Sequence, residues 1–511
     1  MMGTTCTRRR PAGRSVWSPL VVSVLAAGLL GLPPGGPLAA PAGAETGLFE
    51  PDSLEISLPQ AVEMARELNP GIRSAGVATR IQSRAVAAEG ARFGRQVTAD
   101  VSYADERAPS ISALENVQMA TSSVYTAGVG LAQELASGGR IGVRFTNSRY
   151  SSNAAYRTID PVYQSGLALE LSQPLLRGRG EVNRTALHLA QNELSIAEIA
   201  LDEEVRDLTA SVSAAYWDLY FALENLAVQR QLEDGARRVL ETVRARAEMG
   251  ADPRAAILQA EVGAARREAD IVAAEGQVRQ AEDELRSLLG LDQDPAHWTT
   301  RLVPTSVPRL EDSGRDLNAG VEAALEASPA YRRAEVQTQS LDLQVALARD
   351  QTRPEVNLSA RLGLTGIGAS YGDNMEVLGE GDGRSWGGSL ALVVPLGKDP
   401  ETERHQQRLL EKERSQIDLE RLRLGIVQQV REQYRLVEIN RRQSEVAGLS
   451  VRLAEQNVAE EEQRLALGLS TVREVLDAQD ELAESRVSLL RAVVDYNRAR
   501  IEWTRLTGES D

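Results

Sequence analysis

Residues 58–70 read LPQAVEMARELNP, and residues 317–329 read LNAGVEAALEASP. The two stretches stand 259 positions apart at both ends, and Val97 and Val356, each at the start of an alternating stretch, keep that offset. Farther on, Leu169, Leu171, Pro174 and Leu175 match Leu390, Leu392, Pro395 and Leu396 at an offset of 221. Val212, Tyr216, Arg246, Gly250, Leu258, Leu288 and Gly290 then match Val430, Tyr434, Arg464, Gly468, Leu476, Leu506 and Gly508 at 218. Three blocks in one order indicate a tandem duplication, with a period far too long for a solenoid. Each half, 45–289 and 317–508, is expected to form a similar unit. A linker at 290–316 joins them, and 509–511 is a short tail. The offset falls from 259 to 221, so the first half carries 38 extra residues between its first strand and its last.

The chain begins with an address. Arg8, Arg9, Arg10 and Arg14 precede an apolar run from about Val16 to Leu32, then small residues ending Ala42-Gly43-Ala44. This pattern predicts a secretory signal peptide over 1–44; the alternative is an uncleaved anchor. Cys6, the only cysteine, lies ahead of the apolar run, so neither a lipid anchor nor a disulfide is expected. The chain holds 57 basic and 73 acidic residues. Without residues 1–44, which carry four arginines and no acid, the balance is 53 against 73, or −20. So acidic an exported chain is a poor nucleic-acid binder. No run of 18 apolar residues follows the signal, so any membrane crossing must be made by strands of a closed barrel.

Helical periodicity covers 59–93, 184–248 and 253–289, then 317–350, 402–466 and 472–507. In 184–248 the positions Leu194, Ala197, Leu201, Val205, Leu208, Val212, Ala215, Leu219, Ala222 and Leu226 alternate steps of three and four, a coiled-coil seam. Its regularity fails after Leu226. At ~1.5 Å per residue this helix is about 98 Å long, and the two shorter ones in its half are each about half of that. Such rods need lateral neighbours to bury their apolar stripes. The breaks fall at Gly250-Ala251-Asp252-Pro253 and near Gly468, and the final stops at Gly290 and Gly508.

Between the helices the period changes to two. Val97, Ala99, Val101 and Tyr103 alternate, as do Tyr125 to Leu131, Ile141 to Phe145 and Leu167 to Leu171. In the second half, Val356 to Leu362 and Leu390 to Val394 do the same. Strands are therefore expected within about 95–174 and 354–396, each with two unlike faces. Ser137-Gly138-Gly139-Arg140 signals a hairpin turn. Residues 371–384, rich in Gly and Asp, read as an exposed loop, and Pro295, Pro304 and Pro308 argue against helix in the linker.

Catalytic chemistry is not written here. His188, His297 and His405 are far apart, and no Cys/His cluster has metal-ligand spacing. There is no phosphate-binding glycine loop and no nucleophile elbow. The expectation is no enzyme, no cofactor and no metal. The run AAYWDLY at 214–220 reads as packing between helices, with a ligand box as the alternative.

In order, the opening helix ending in Asn69-Pro70, its copy ending in Ser328-Pro329, the passage LELSQPLLRGRG at 169–180, the run at 214–220 and RLALGLSTVREVLDAQDEL at 464–482 resemble the TolC-like outer-membrane efflux proteins. The resemblance spans roughly 54–508. It implies a mainly α fold with β: a homotrimer with one outer-membrane β-barrel continuous with a long periplasmic α-helical barrel. An ending at Asp511, not an aromatic, suits a final helix in the periplasm. The resemblance also implies a passive exit duct driven by an inner-membrane pump through a periplasmic adaptor, with lipid around the barrel. Small toxic molecules are the expected cargo, in a Gram-negative outer membrane. Protein secretion through a type I system is the alternative, and a pore-less coiled coil bridging the periplasm is an alternative of another class.

The resemblance further implies an acidic constriction just beyond the second glycine break, at Glu474 and Asp477. In a trimer these would form two carboxylate rings that prefer cations, with pKa values raised by crowding. Spacing alone reads both equally as solvated residues on an exposed helix. Adaptor docking falls on Arg246, Gly250, Arg464, Gly468 and Leu469, whose plainer role is ending helices. The family's tyrosine–arginine–aspartate lock has no counterpart, since Leu465, Ser470 and Ala256 occupy its positions. Arg473 and Asp252 are candidate substitutes.

Overall fold

The computed structural model describes residues 53–110, 117–155, 157–249, 253–298, 300–310, 314–397 and 399–508. The expected signal segment 1–44, the turn at 250–252 and the tail 509–511 lie outside the described residues.

Helices α1 (Leu58–Leu68) and α2 (Pro70–Ala91) replace the single helix expected over 59–93. Pro70 forces Asn69 out of the helical region, and the Asn69 Oδ1 then accepts from the Gly71 N–H at 2.7 Å to cap α2. The same happens 259 residues on. There Ser328 separates α5 (Leu317–Ala327) from α6 (Pro329–Gln351), where one helix over 317–350 was expected.

The rods are α3 (Thr185–Glu248), of 64 residues, and α8 (Pro400–Ala466), of 67. Each is flanked by two shorter helices along successive stretches. On α3, Thr79 of α2 reaches the Ala197 carbonyl. Nearer its end, Arg230 and Arg244 pair with Glu275 and Glu261 of α4 (Arg254–Leu289) at 3.1 and 2.7 Å. On α8, Asp342 of α6 pairs with Lys412, and Arg486 of α9 (Val472–Thr507) with Glu455. The seam of α3 is buried from Leu208 to Leu226. Beyond Gln229, a polar seam position, it resumes at Leu232, Ala236, Val239 and Val243. Its earlier members Leu194, Ala197, Leu201 and Val205 are only half-buried within one chain.

The linker holds structure that periodicity missed. Two 3-10 turns at 291–293 and 295–297 lead to β6 (Arg301–Pro304), which pairs in parallel with β1 (Ser53–Ile56). Four-residue strands are too short for a period to register. Tyr216 fastens them to α3: its hydroxyl donates to the Ile56 carbonyl at 3.0 Å and accepts from the Ser306 N–H at 2.8 Å. Tyr216 and Trp217 are buried in one cluster with Leu219, Leu285, Leu289 and Leu302, as expected of packing residues.

Six antiparallel strands form the other sheet. In order they are β2 (Arg95–Pro109), β3 (Met119–Glu134), β4 (Arg140–Ser152), β5 (Val162–Pro174), β7 (Glu355–Gly368) and β8 (Arg384–Val393). Register keeps like faces together. Val97, Leu131, Val143, Leu169, Leu362 and Trp386 make one row, and Ala99, Val129, Phe145, Leu167 and Leu364 the next. On the opposite face Asp100 pairs with Arg144, and Glu170 with Arg361 at 3.6 Å. Much of the apolar face is bare, with Val101 84% and Trp386 85% exposed. The loop expected over 371–384 is instead helix α7 (Tyr371–Glu380), which packs over β5 and β7. Ser370 caps its start and Gly381 ends it, signals legible in the sequence but masked by its glycine-rich flanks. Its buried Asn374 joins Ser165, which in turn bonds Asn147.

Positions at the repeat offsets share places but trade volume. Ala61 and Leu285 are both fully buried in the first cluster. Their counterparts are Gly320 and Trp503, packed so that a Cβ on Gly320 would lie 2.4 Å from Trp503 Cη2. Gly320→Ala should therefore cost about 1–3 kcal/mol through overpacking. Trp503→Leu alone should destabilise by leaving a cavity. The double variant, which recreates the first-half pair, should recover at least ~0.5 kcal/mol relative to the sum in thermal unfolding. Strict additivity would refute this complementarity.

Candidate functional site

The tip is where both helix pairs turn. Chain reversal between α8 and α9 needs a residue at positive φ, and Gly468 supplies it at +74°. The Leu469 N–H then reaches back to the Arg464 carbonyl at 2.8 Å and the Gly468 N–H to Leu465 at 3.0 Å. This is the Schellman arrangement that satisfies the last carbonyls of α8. Gly250, the counterpart on the first pair, lies outside the described residues, as does Asp252.

The two pairs are welded by an apolar cluster. Val239 and Val243 of α3, Ala260 of α4, Leu465 of α8 and Val472 and Val475 of α9 are all buried there, with Ala256 and Leu476 against them. Leu465 and Ala256, at lock positions, thus contribute packing in place of hydrogen bonds. Arg246 of α3 adds a polar tie, donating from Nη1 to the Leu465 carbonyl at 2.8 Å. A cation at a helix C-terminus also meets the negative end of the dipole. Arg464 pairs within its own helix, with Glu461 at 2.6 Å.

Glu474 does two things in one place. Its Oε2 accepts from the Thr471 N–H at 2.7 Å and from the Thr471 hydroxyl at 3.0 Å. The Glu474 N–H points back to the Thr471 Oγ1 at 3.4 Å. This is a capping box at the start of α9. Ser470 Oγ lies 2.6 Å from Glu461 and 2.9 Å from Glu474. The Thr471 backbone donor, followed by the Ser470 and Thr471 hydroxyls, holds the Glu474 carboxyl below its ordinary pKa. Within one chain the shift therefore runs opposite to the one expected of a crowded ring. Asp477 lies one turn further along the same exposed face and pairs with Arg473 at 3.6 Å. Among the described residues Arg473 thus engages its own helix, and its proposed partner Asp252 lies outside them.

Three apolar residues protrude at this end. Met249 is 77% exposed, Leu467 74% and Leu469 69%. The sequence reading named only Leu469. Met249 and Leu467 stand 218 apart, beside the two glycine breaks, so the repeat offset was the signal that would have found them. Among the described residues no group of His, Cys, Asp and Glu is arranged to hold a metal. Nor, among them, is any helix long and apolar enough to cross a membrane.

A family model described as outer membrane efflux protein matches residues 143–291 and 320–509. Among solved structures, a membrane protein from Pseudomonas aeruginosa matches at 18% identity and a TM-score of 0.67, over 88% of this chain and 93% of that one. The outer membrane protein VceC from Vibrio cholerae matches at 15% and 0.64, over 89% and 96%. The open state of the Neisseria gonorrhoeae MtrE outer membrane channel matches at 16% and 0.62, over 88% of each chain. At such identities the likeness is one of fold. A search of curated proteins gave no match.

The capping box separates the charge of Glu474 from its structural role. A carboxyl whose folded pKa is depressed stabilises the fold above its unfolded value, and the contribution is lost as pH falls through the folded one. Protection of the amides over 470–476, corrected for the intrinsic pH dependence of exchange, should therefore fall on acidification through that window. Glu474→Gln keeps most of the cap and should flatten the response at little change in protection at neutral pH. Glu474→Ala should raise exchange at every pH. Identical pH responses in Glu474→Gln and the parent would rule the carboxylate out as the titrating cap.

Proposed function

Because the chain belongs to the outer membrane efflux protein family, we propose that it is the exit duct of a tripartite system that expels small molecules. It is an outer-membrane efflux channel, a passive conduit and not an enzyme. On this reading three copies share one barrel and one helical tube, each copy contributing a duplicated protomer of two rods and their flanking helices. An inner-membrane pump supplies the energy, and a periplasmic adaptor couples it to the tip.

The observation that carries the reading is the two-faced sheet. One face presents continuous apolar rows, while the other is polar with charges paired across strands. That pattern suits a wall with lipid outside and water inside. Tyr103, Tyr125 and Tyr163 share one row with Arg149 in the half of the sheet away from the rods, Tyr103 and Tyr125 with ring centroids 4.4 Å apart. Aromatic residues collect where hydrocarbon meets headgroups. A pore-less bridge has no use for either feature.

The half-buried upper seam of α3 supports lateral packing against neighbouring copies. At the tip, Glu474 and Asp477 share an exposed face of α9 and would form two rings in a trimer, the proposed gate. Fixed carboxylates there attract cations. Docking is assigned to Arg246, Gly250, Arg464, Gly468 and Leu469, with the protruding Met249 and Leu467 alongside. The adaptor would contribute an apolar surface to cover these side chains. Opening would separate the two helix pairs at the Val239–Val475 cluster and break the Arg246–Leu465 tie.

Conductance of the detergent-purified protein in a planar bilayer tests the conduit. Discrete cation-preferring channels are expected. Glu474→Ala with Asp477→Ala should lower the cation preference severalfold, and unchanged selectivity would remove the gate assignment. A strain lacking the protein should grow poorly in the presence of small toxic compounds while its secreted proteins stay normal. Loss of a secreted protein without such sensitivity would assign the duct to type I secretion instead.

A further inference from the structure

Resting on the trimeric reading above, we infer that the closed barrel contains eighteen strands, six from each copy, because the 38-residue insertion is built into the wall. Repeat arithmetic gives the contrast. β2 matches β7 through Val97 and Val356, and β5 matches β8 through Leu169 and Leu390. Without the insertion each half supplies two strands, four per chain and twelve in a ring of three. The inserted segment is the hairpin β3–β4.

That hairpin is wall and not ornament. β3 pairs with β2 along the whole of β2, and β4 pairs with β5 from Arg140 to Tyr150. The apolar rows at Val97 and Ala99 cross it without interruption. Its turn is fixed at the helical end of the sheet. Gly138 sits there at a φ of +89°, so close to the chain that a Cβ would lie 2.2 Å from the Gly178 carbonyl. The Ser137 carbonyl accepts from the Gly180 N–H and from Gln173 Nε2, both at 3.1 Å. At the root of the hairpin, Glu134 pairs with Arg92 at 3.0 Å. A five-residue turn at this end, with longer connections at the other, is the arrangement of a barrel with its short turns in the periplasm.

Strand direction then permits closure. Six alternating strands leave β2 and β8 antiparallel to one another, so β8 of one copy can add to β2 of the next without a parallel pair. Both edges are open in the single chain. Every residue of β8 is exposed, and all but one of β2. Edges of this kind in hydrocarbon must find partners. Copies of the same chain fit, because Trp386, Leu390 and Leu392 alternate on β8 as Val97, Ala99 and Val101 do on β2.

At ~4.8 Å per strand and a tilt of about 40°, eighteen strands give a backbone diameter of roughly 36 Å, against about 24 Å for twelve. The wall is thus widened about 1.5-fold while the helical rods stay as they are. Its lumenal face carries compensated charge, Asp100 with Arg144 and Glu170 with Arg361. Neither width nor charge then makes the barrel selective, and discrimination is left to the tip.

Electron cryomicroscopy of the full protein in lipid nanodiscs counts the strands directly. Three-fold particles with six strands per sector, β8 against the neighbour's β2, are the expected result. A twelve-stranded barrel with β3–β4 lifted out of the wall would overturn the inference and leave the trimer intact. Particles of another symmetry that keep six paired strands per copy would overturn the trimeric reading instead, and the count with it. Deleting residues 119–152 joins β2 to β5, still antiparallel, and should narrow the barrel about 1.5-fold. A deletion variant of unchanged diameter would also defeat the proposal.

Discussion

Backbone hydrogen bonding in hydrocarbon is the constraint on which the rest of this molecule depends. Each N–H and C=O inside a bilayer must be paired, because no water is present to take the place of a partner. A sheet answers that demand only when it has no edge. One chain supplies six strands and two open edges, β2 and β8. On the proposed reading the fold is incomplete alone, and its incompleteness is specific: the edges are antiparallel, similarly patterned and related by the same alternation of faces. The half-buried seam at Leu194 to Val205 carries the same message along the rods. Apolar stripes of that kind are buried by neighbours or not at all.

The junction between sheet and rods has to convert one kind of wall into another within a few residues. Asp350, buried at the end of α6, accepts from the Gly178 N–H at 2.6 Å. Asn183 donates to the Gly178 and Gly180 carbonyls. The Leu175 N–H meets the Val356 carbonyl at 2.8 Å. These bonds take up the polar groups that a strand leaves free when it bends into a helix, and they explain why glycines and a carboxylate gather at 175–183 and 350. They also anchor the turn of the inserted hairpin. An added pair of strands was absorbed here without disturbing either rod.

At the opposite end stability and motion compete. Among the described residues the tip is held by a small apolar cluster, an arginine–carbonyl bond and a capping box. None is deeply elaborated, and each lies beside a helix reversal. Such a contact set suits an element that must open under load from a partner. On the proposed gate reading, Glu474 serves two needs. It finishes the helix that presents it, and it leaves its charge on the face that a ring of copies would turn toward the passage.

The long helices, the period-two strands, the turn at Gly138 and the break at Gly468 were legible because each is a local matter. Periodicity, a forced φ and a missing N–H act over a few residues. The repeat added more, since Met249 and Leu467 stand at one offset and protrude alike. The sequence could not show β1 with β6, whose partners lie some 250 residues apart and are four residues long. The cap signals of α7 are outweighed by its glycine-rich flanks, and the capping-box signature Thr471-Val472-Arg473-Glu474 is one that periodicity alone passes over. The sequence determined an inserted hairpin, but not whether that hairpin joined the sheet or projected from it. Only tertiary structure placed it within the six-stranded sheet. Strand pairing is a contact between distant segments, and register, unlike periodicity, exists only once both partners are in place.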